Sequence, residues 1–285
     1  MKTSLLCLAL AGLLPATALA HPGSGIVVDR LGQVYFVDMV SGIWKLDAQG
    51  TLTHLPGSAF HWMTLDAAGR FATARLPSGP GWAFGRIGSD PTLLLASDFP
   101  LALGRNGTLY FPTQGEMPVK LRTFTPDGRT GVLATLPEQT SSGPLRWLNG
   151  IAAAPDGSVY YTEDAAIRRV GGDGRVVTVL EHPDRSGCGS RTPLLRGLDV
   201  DAAGTAYVAD AGCGRVLKVS GAGAVTILPQ VAQPWFPTGV ALSGSDLYVL
   251  EFENADTDDR RAMIPRIRKI AAGGATAVVA TVTRP

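Results

Sequence analysis

Apolar and polar residues alternate along most of this chain in short runs that come in pairs. The first pair is GIVVDRLGQVYFVD, in which two alternating runs flank an Asp-x-x-Gly turn, the pattern of a β-hairpin. Related pairs are MTLDAAGRFATAR from Met63, LALGRNGTLYFPT from Leu101, GIAAAPDGSVYYTE from Gly150, GLDVDAAGTAYVAD from Gly197 and GVALSGSDLYVLE from Gly239. One structural unit is therefore repeated six times.

The copies share a register, because one position is held by Tyr35, Ala72, Tyr110, Tyr160, Tyr207 and Tyr248. A second alternating hairpin follows most copies, most clearly as GIWKLDAQGTLTHL and AIRRVGGDGRVVTVL, and least clearly after the second copy, as GWAFGRIGSDPTLLLA. Four strands per repeat of about 40 residues are typical of a β-propeller blade. The pattern predicts an all-β fold, a six-bladed β-propeller of four-stranded antiparallel blades that start near residues 25, 63, 101, 150, 197 and 239.

A solenoid is the alternative architecture for such a repeat. It needs atypical polar capping units, whereas the first and last copies here are ordinary ones. The first copy begins with an inner strand and the last ends with an outer strand, so each blade supplies its own strands. Closure of the ring would then depend on packing between blades, but the sequence leaves the mode of closure open.

Composition narrows the range of partners. The 285 residues include 35 Gly and 20 Pro, which suits many short strands and turns. A formal net charge of +1 gives no electrostatic reason to expect a nucleic acid or an acidic membrane surface as partner. We expect residues 21–285 to form a single propeller domain that is a monomer and binds a small molecule or peptide.

Residues 1–20 have the pattern of a secretory signal peptide. Lys2 provides the positive start, Leu5 to Leu14 an apolar run, and Ala18-Leu19-Ala20 a small-x-small cleavage site. The apolar run is too short to span a bilayer, and Cys7 is not preceded by the small residues of a lipoprotein signal. We expect an exported protein, periplasmic or extracellular, without a membrane anchor.

Removal of the signal peptide leaves two cysteines, Cys188 and Cys213. In an oxidising compartment one remaining pair is most simply a disulfide, since a zinc site needs more thiols or clustered histidines. Both residues belong to the fifth blade and lie on the same face of it. The sequence therefore predicts a Cys188–Cys213 bond that holds the insert EHPDRSGCGSRTPLLR.

Candidate ligand-binding residues gather on one face of the predicted ring. In a four-stranded meander, the connector into the first strand and the loop between the second and third strands lie on the same face, which we call the rim face. The Asp-x-x-Gly turns lie on the opposite face, the turn face. The candidates on the rim face are Asn149, Arg196, Thr238 and His61 in the connectors, and Asp38, Glu163, Asp210 and Glu251 after second strands.

Two interpretations of the four acids are open. They form a ring of carboxylates that holds a cation, or each accepts backbone N–H groups of its own tight loop. Recurrence at a repeat position favours the second interpretation. Aromatic residues in the connectors supply either walls for the same mouth or packing between blades, and they are Trp62, Trp147, Trp235 and Phe236.

The repeats resemble NHL-repeat propellers, whose copies have the form GIAVDxxGxVYVADxxxxRVxK; GLDVDAAGTAYVADAGCGRVLKV matches over half a blade. The segment WLNGIAAAPDGSVYYTE also resembles the senescence-marker and gluconolactonase family of six-bladed propellers. That resemblance implies a divalent metal in the channel that assists lactone hydrolysis, with Asn149 as one ligand.

The other ligand positions of that family are not matched. Ser24 lies where an acid is expected before the first blade, and Arg196 lies where a metal-binding acid is expected later. A guanidinium in place of a carboxylate disfavours a dication and suits a carboxylate or another anionic group instead. The alternative is that Arg196 pairs with Asp210 or Glu163 and orders the rim face.

Three functions follow from these observations. The first is an exported propeller that binds a small molecule or peptide on its rim face or in its channel. The second is a lactone or ester hydrolase whose calcium or zinc site is rebuilt from Asn149 with Glu163 or Asp210. The third is a protein-interaction scaffold. No catalytic residue is assigned, because neither a nucleophile elbow nor a zinc-protease motif is present.

The cysteine pairing is directly testable. We expect mass spectrometry of the unreduced, exported protein to show one peptide pair that joins Cys188 to Cys213. Closing a loop of this length has a chain-entropy contribution of about 3 kcal/mol to stability. Two freely alkylated thiols would contradict the pairing.

Overall fold

The computed structural model of the chain describes residues 22–55, 57–78, 84–88, 90–113, 116–137, 148–230, 233–253 and 259–283. The predicted signal peptide lies outside these residues. Within them, the chain forms twenty-three strands in six antiparallel sheets, and no helix is long and apolar enough to cross a membrane. The predicted fold class, an all-β six-bladed propeller, is confirmed.

Five blades have four strands in the described residues, and these strands follow one another in space as they do in sequence. Blade one has β1 (Ile26–Val28), β2 (Val34–Asp38), β3 (Gly42–Leu46) and β4 (Leu52–Leu55); blade two has β5 (Trp62–Asp66), β6 (Phe84–Ile87) and β7 (Thr92–Ala96); blade three has β8 (Ala102–Leu103), β9 (Leu109–Pro112), β10 (Lys120–Phe124) and β11 (Thr130–Thr135). Blade four has β12 (Gly150–Ala153), β13 (Val159–Glu163), β14 (Ala166–Val170) and β15 (Val176–Leu180); blade five has β16 (Leu195–Val200), β17 (Ala206–Asp210), β18 (Arg215–Val219) and β19 (Val225–Ile227); blade six has β20 (Trp235–Ser243), β21 (Asp246–Glu253), β22 (Pro265–Ile270) and β23 (Thr276–Thr281).

Blade two departs from the predicted repeat. The expected second strand, which was to carry Ala72, does not form, and β7 lies between β5 and β6 instead. All five residues of β7 are buried and four of them are apolar, which suits a middle strand, whereas the expected strand contains arginines. Arg86 instead donates to the carbonyl oxygens of Phe71 (2.5 Å) and Ala74 (2.9 Å), so this segment is held as an irregular loop.

The core is divided among the interfaces between neighbouring blades. Phe36 and Ile43 of blade one, for example, pack in one cluster with Leu95 of blade two and Phe252 of blade six. The recurrent tyrosine contributes to these interfaces, and Tyr160 is 2% exposed in the cluster between blades four and five. Each blade therefore depends on its neighbours to bury its apolar faces.

Inner strands of neighbouring blades approach so closely that glycine is required at the start of several of them. A Cβ at Gly239 would lie 2.3 Å from the carbonyl oxygen of Ser24, and a Cβ at Gly197 would lie 2.9 Å from the Cα of Gly239. Similar contacts occur at Gly25 and Gly150. The glycine that opens four of the six repeats thus lets one backbone pack directly on the next.

The ring closes between blades six and one without a shared strand in the described residues. Thr238, which is fully buried, donates its hydroxyl to the carbonyl oxygen of Gly23 at 2.7 Å. Ser24 and Gly25 in turn donate their backbone N–H groups to the carbonyl oxygen of His61 at 2.8 and 2.9 Å. The segment before β1 therefore connects blade six to blade two.

The close approach of Gly239 to Ser24, where blades six and one meet, predicts that two glycine substitutions have different effects on stability. We expect Gly239→Ala to lower the free energy of unfolding by about 2 kcal/mol or more, because its methyl group meets backbone atoms that cannot rotate away. Gly172→Ala is the matched control, since a Cβ there meets no atom within 4 Å, and we expect a change within about 0.5 kcal/mol. Urea unfolding measures both free energies of unfolding, and equal losses in the two variants would contradict this close contact between blades six and one.

Candidate functional site

The four rim-face acids are fully or almost fully buried, and each is held inside its own blade. Asp38 accepts the backbone N–H of Val40 at 3.1 Å and the hydroxyl of Ser41 at 2.5 Å. Glu163 accepts Nε of Arg168 at 2.9 Å. The acid at the end of the second strand therefore orders the loop or strand that follows it.

The same arrangement occurs in blades five and six. Asp210 accepts Nε of Arg215 at 2.9 Å, as well as the backbone N–H groups of Leu194 (3.0 Å) and Cys213 (3.2 Å). Glu251 accepts Nε of two arginines on β22, Arg266 at 2.8 Å and Arg268 at 2.7 Å. A signal for these pairs is present in the sequence: in blades four and five the acid is followed five residues later by arginine, as in the NHL pattern.

These contacts bear on the metal hypothesis. Glu163 and Asp210, the acids that would join Asn149 around a dication, each lie against an arginine and are neutralised by it. In the described parts of the chain, the one set of three potential ligands within 4.8 Å of one another is Cys188, Asp210 and Cys213. Its two sulfur atoms are joined in a disulfide and are not thiolates. The donor set does not fit calcium or zinc.

Asn149 lies just before β12 with a half-buried side chain. Its backbone N–H donates to the carbonyl oxygen of Thr162 at 2.9 Å, and its own carbonyl accepts Nε1 of Trp62 at 3.3 Å. The indole of Trp62 therefore reaches from blade two to blade four across the rim face. The aromatic Trp147 lies outside the described residues.

His61 is the histidine among the rim-face candidates. Its Nδ1 contacts the carbonyl oxygen of Ser97, so Nδ1 carries the proton of the neutral ring. Burial lowers the pKa of His61 below its usual range, and the charges of Arg260 and Arg196 lower it further, although the Ser97 carbonyl and Asp98 oppose this shift. The neutral form of the imidazole is therefore favoured at pH 7.

Arg196 lies in β16 beside the β-bulge between Leu195 and Leu198. Its side chain borders a rim-face cavity of about 480 Å³, which we call the rim cavity. Burial lowers the pKa of Arg196 to about 10, so the guanidinium stays charged at neutral pH. The other residues that line the rim cavity are Pro22, Ser190, Arg191, Thr192, Leu194, Ala211, Gly212 and Phe236.

The insert of blade five forms one wall of the rim cavity. Cys188 and Cys213 are joined in the predicted disulfide. Arg215, which is 1% exposed, donates to the carbonyl oxygen of Ser186 at 2.6 Å and also to that of Asp184. The insert is thus attached to the blade covalently and through a buried guanidinium.

Aromatic side chains near the rim cavity pack against arginines. The guanidinium carbon of Arg191 lies 4.3 Å from the centre of the Phe236 ring, and that of Arg266 lies 3.8 Å from the centre of Trp235. The hydroxyl of Thr238, by contrast, is hydrogen-bonded to the carbonyl oxygen of Gly23 where the ring closes. Of the predicted polar site residues, Arg196 therefore lines the rim cavity, whereas Thr238 and the four acids stabilise the blades.

Sequence reasoning did not single out Asp199, which lines the central channel. The channel encloses about 200 Å³, and its lining is apolar in the described residues apart from Thr64 and Asp199. The Asp199 carboxylate accepts the backbone N–H groups of Val200 and Leu242, both at 2.8 Å, and so joins blades five and six. The sequence does contain a signal for Asp199. This residue lies opposite the recurrent Tyr207 in the first hairpin of blade five, and the equivalent position of blade four is the apolar Ala152.

Comparison with known proteins gives fold-level matches. No family model matches the chain, and no curated protein matches it by sequence. Among solved structures, virginiamycin B lyase from Staphylococcus aureus matches with a TM-score of 0.53 and 16% identity over 90% of this chain and 84% of that one. Regucalcin from Agrobacterium tumefaciens, a calcium-binding protein, matches with a TM-score of 0.50 and 17% identity over 80% and 81%.

A PQQ-bound aldose sugar dehydrogenase from Streptomyces coelicolor also matches, with a TM-score of 0.50 and 14% identity over 85% of this chain and 90% of that one. These matches confirm the resemblance to the NHL-like and senescence-marker-like six-bladed propellers at the level of the fold. Because a lyase, a calcium-binding protein and a dehydrogenase share this fold, the fold does not determine an activity.

Asp199 predicts a pH dependence of stability. Burial raises the pKa of this carboxyl from 3.8 to about 6, although its two backbone N–H bonds oppose the shift. Between pH 4 and pH 6 the folded state holds a proton that the unfolded state has lost, so stability falls as pH rises through this interval and levels off above it. We expect melting temperatures from pH 4 to pH 7.5 to show this fall in the wild type and not in Asp199→Asn. Parallel profiles would contradict it.

Proposed function

We propose that this chain is an exported β-propeller that binds a small molecule or peptide through an anionic group in the rim cavity. The observation that carries the proposal is the charge of the lining. It contains two arginines, Arg191 and Arg196, and no acidic residue among the described ones. Asp210, which precedes the lining residue Ala211 in the chain, is already bonded to Arg215.

The volume of the rim cavity is suited to a small ligand. Its volume of about 480 Å³ lies in the range of small-molecule sites. A planar guanidinium such as that of Arg196 binds a carboxylate through two parallel N–H donors, and partial burial strengthens such a bond because water competes less. Phe236 adds an apolar surface beside the charged one.

Ser190 and Thr192 also line the rim cavity and offer the ligand polar contacts besides the two arginines. A carboxylate accepts hydrogen bonds from a guanidinium, while a hydroxyl or amide of the same ligand exchanges a hydrogen bond with a serine or threonine hydroxyl. This arrangement suits a carboxylate that bears a further polar group, such as a hydroxy acid or the C-terminus of a peptide.

Export is part of the proposal and is supported by two observations. Residues 1–20 have the pattern of a signal peptide, and the cysteines of the mature chain are joined in a disulfide. A disulfide that attaches the insert beside the rim cavity suits a binding site exposed to an oxidising compartment.

Calorimetry with benzoate and glycyl-phenylalanine tests the binding function. We expect one of these carboxylates to bind with a stoichiometry near one, and Arg196→Gln to weaken that binding at least tenfold, because it removes the charge and the donor pair. Arg129→Gln is the control, since Arg129 is exposed and pairs with Asp127 at 2.8 Å. We expect it to leave the binding unchanged.

Three outcomes would contradict the proposal. The first is the absence of carboxylate binding to the wild type. The second is equal loss of affinity in both arginine variants. The third is stoichiometric binding of calcium or zinc that disappears in Asn149→Ala and accompanies hydrolysis of a lactone, which would establish the hydrolase instead.

A further inference from the structure

A second cavity, of about 540 Å³, lies on the turn face, opposite the rim cavity. We call it the basic cavity, because three arginines from three consecutive blades line it: Arg30, Arg70 and Arg105. Leu65 and Leu103 line both the basic cavity and the central channel, so the basic cavity opens beside the mouth of the channel. None of its lining residues belongs to the rim cavity.

Two of these arginines occupy the same place in the repeat. Arg30 and Arg105 are each the second residue of a four-residue turn, closed by Gly32 N–H to Asp29 (3.1 Å) and by Gly107 N–H to Gly104 (2.9 Å). The corresponding positions of blades four, five and six are Pro155, Ala202 and Gly244. The positive charge is therefore a local departure from the repeat and is confined to one side of the ring.

The third arginine is held in place by the neighbouring blade. Arg70 follows the turn glycine of blade two and donates Nη1 to the carbonyl oxygen of Arg105 at 3.0 Å. Its side chain lies against Gly107, where a Cβ would come within 2.5 Å of Nη1. The Arg70 side chain is therefore ordered beside the turn that carries Arg105, although all three arginines are exposed.

The acids around the basic cavity do not neutralise these arginines. None of the three forms an ion pair within the described ranges. Asp29 accepts N–H groups of its own turn, from Leu31 and Gln33, both at 2.9 Å. Asp66 is the one acid of the lining, and it is 1% exposed, with Oδ2 accepting the backbone N–H of Phe71 at 2.5 Å.

Another cavity on the turn face is lined by an arginine that an acid neutralises. It has a volume of about 160 Å³ and lies between blades four and five, where Arg169 pairs with Asp156 at 2.8 Å. The basic cavity is larger, holds three guanidinium groups and lacks such pairs in the described residues. It therefore has the charge to bind an anion that carries more than one negative charge.

We propose that the basic cavity is a binding site for a phosphate-type oxyanion, either a free phosphate or phosphate monoester or the phosphate of a lipid headgroup. Three guanidinium groups present more donors than a single carboxylate can accept, whereas the several oxygens of a phosphate accept from all three. The apolar side chains of Leu65 and Leu103 contact the part of the ligand that follows the phosphate.

Calorimetry of the mature chain with inorganic phosphate at low ionic strength tests the site. We expect one phosphate to bind and the triple variant R30Q/R70Q/R105Q to lose at least about tenfold in affinity, because three charge-assisted donors are removed. Arg169→Gln, on the same face, is the control and keeps the phosphate affinity of the wild type. The triple variant keeps its carboxylate binding at the rim cavity.

A second measurement distinguishes the source of the phosphate. Sedimentation with phosphatidylglycerol vesicles, lost in the triple variant and not in Arg169→Gln, assigns the site to a lipid headgroup, whereas binding of inorganic phosphate alone assigns it to a soluble ligand. Either result supports the site. The proposal would be overturned if the wild type bound neither ligand, or if the wild type and the triple variant bound equally well.

Discussion

The structure depends on the direct contact between the backbones of neighbouring inner strands. Each blade is built from one continuous stretch of chain, so no strand links the last blade to the first in the described residues. What holds the ring instead is backbone packing at the inner strands, with Gly239 against Ser24 and Thr238 bonded to Gly23. Because a methyl group at such a contact would meet backbone atoms, the glycine that opens four of the six repeats stabilises the assembled ring.

The acids that recur at the ends of the second strands also stabilise the blades. Asp38, Glu163, Asp210 and Glu251 are buried, and three of them are neutralised by arginines of the third strand. A buried carboxylate needs such compensation, since an uncompensated charge in the interior is strongly unfavourable. These side chains are therefore committed to the blades, and residues that interrupt the repeat are better candidates for function.

Those interruptions lie on both faces and in the channel. Arg196 replaces an expected acid on the rim face, Asp199 replaces an apolar residue in the channel, and Arg30 and Arg105 add charge to two turns of the opposite face. In a repeat protein, a residue that departs from the repeat is not explained by the shared architecture. It is consequently informative about what a single blade does.

The periodicity of the sequence was sufficient to predict the propeller, the number of blades and the rim face, because each depends on local alternation and on residue spacing. The disulfide followed from the cysteine count and the expected oxidising compartment. The periodicity predicted blade two wrongly, since the competition between an arginine-bearing segment and the apolar β7 for the middle position is decided by burial. The sequence also left two roles open for the rim-face acids. The tertiary structure decided between them, because only the folded blade brings Glu251 against arginines fifteen and seventeen residues away. It alone assembled the rim cavity and the basic cavity, since their walls come from separate blades.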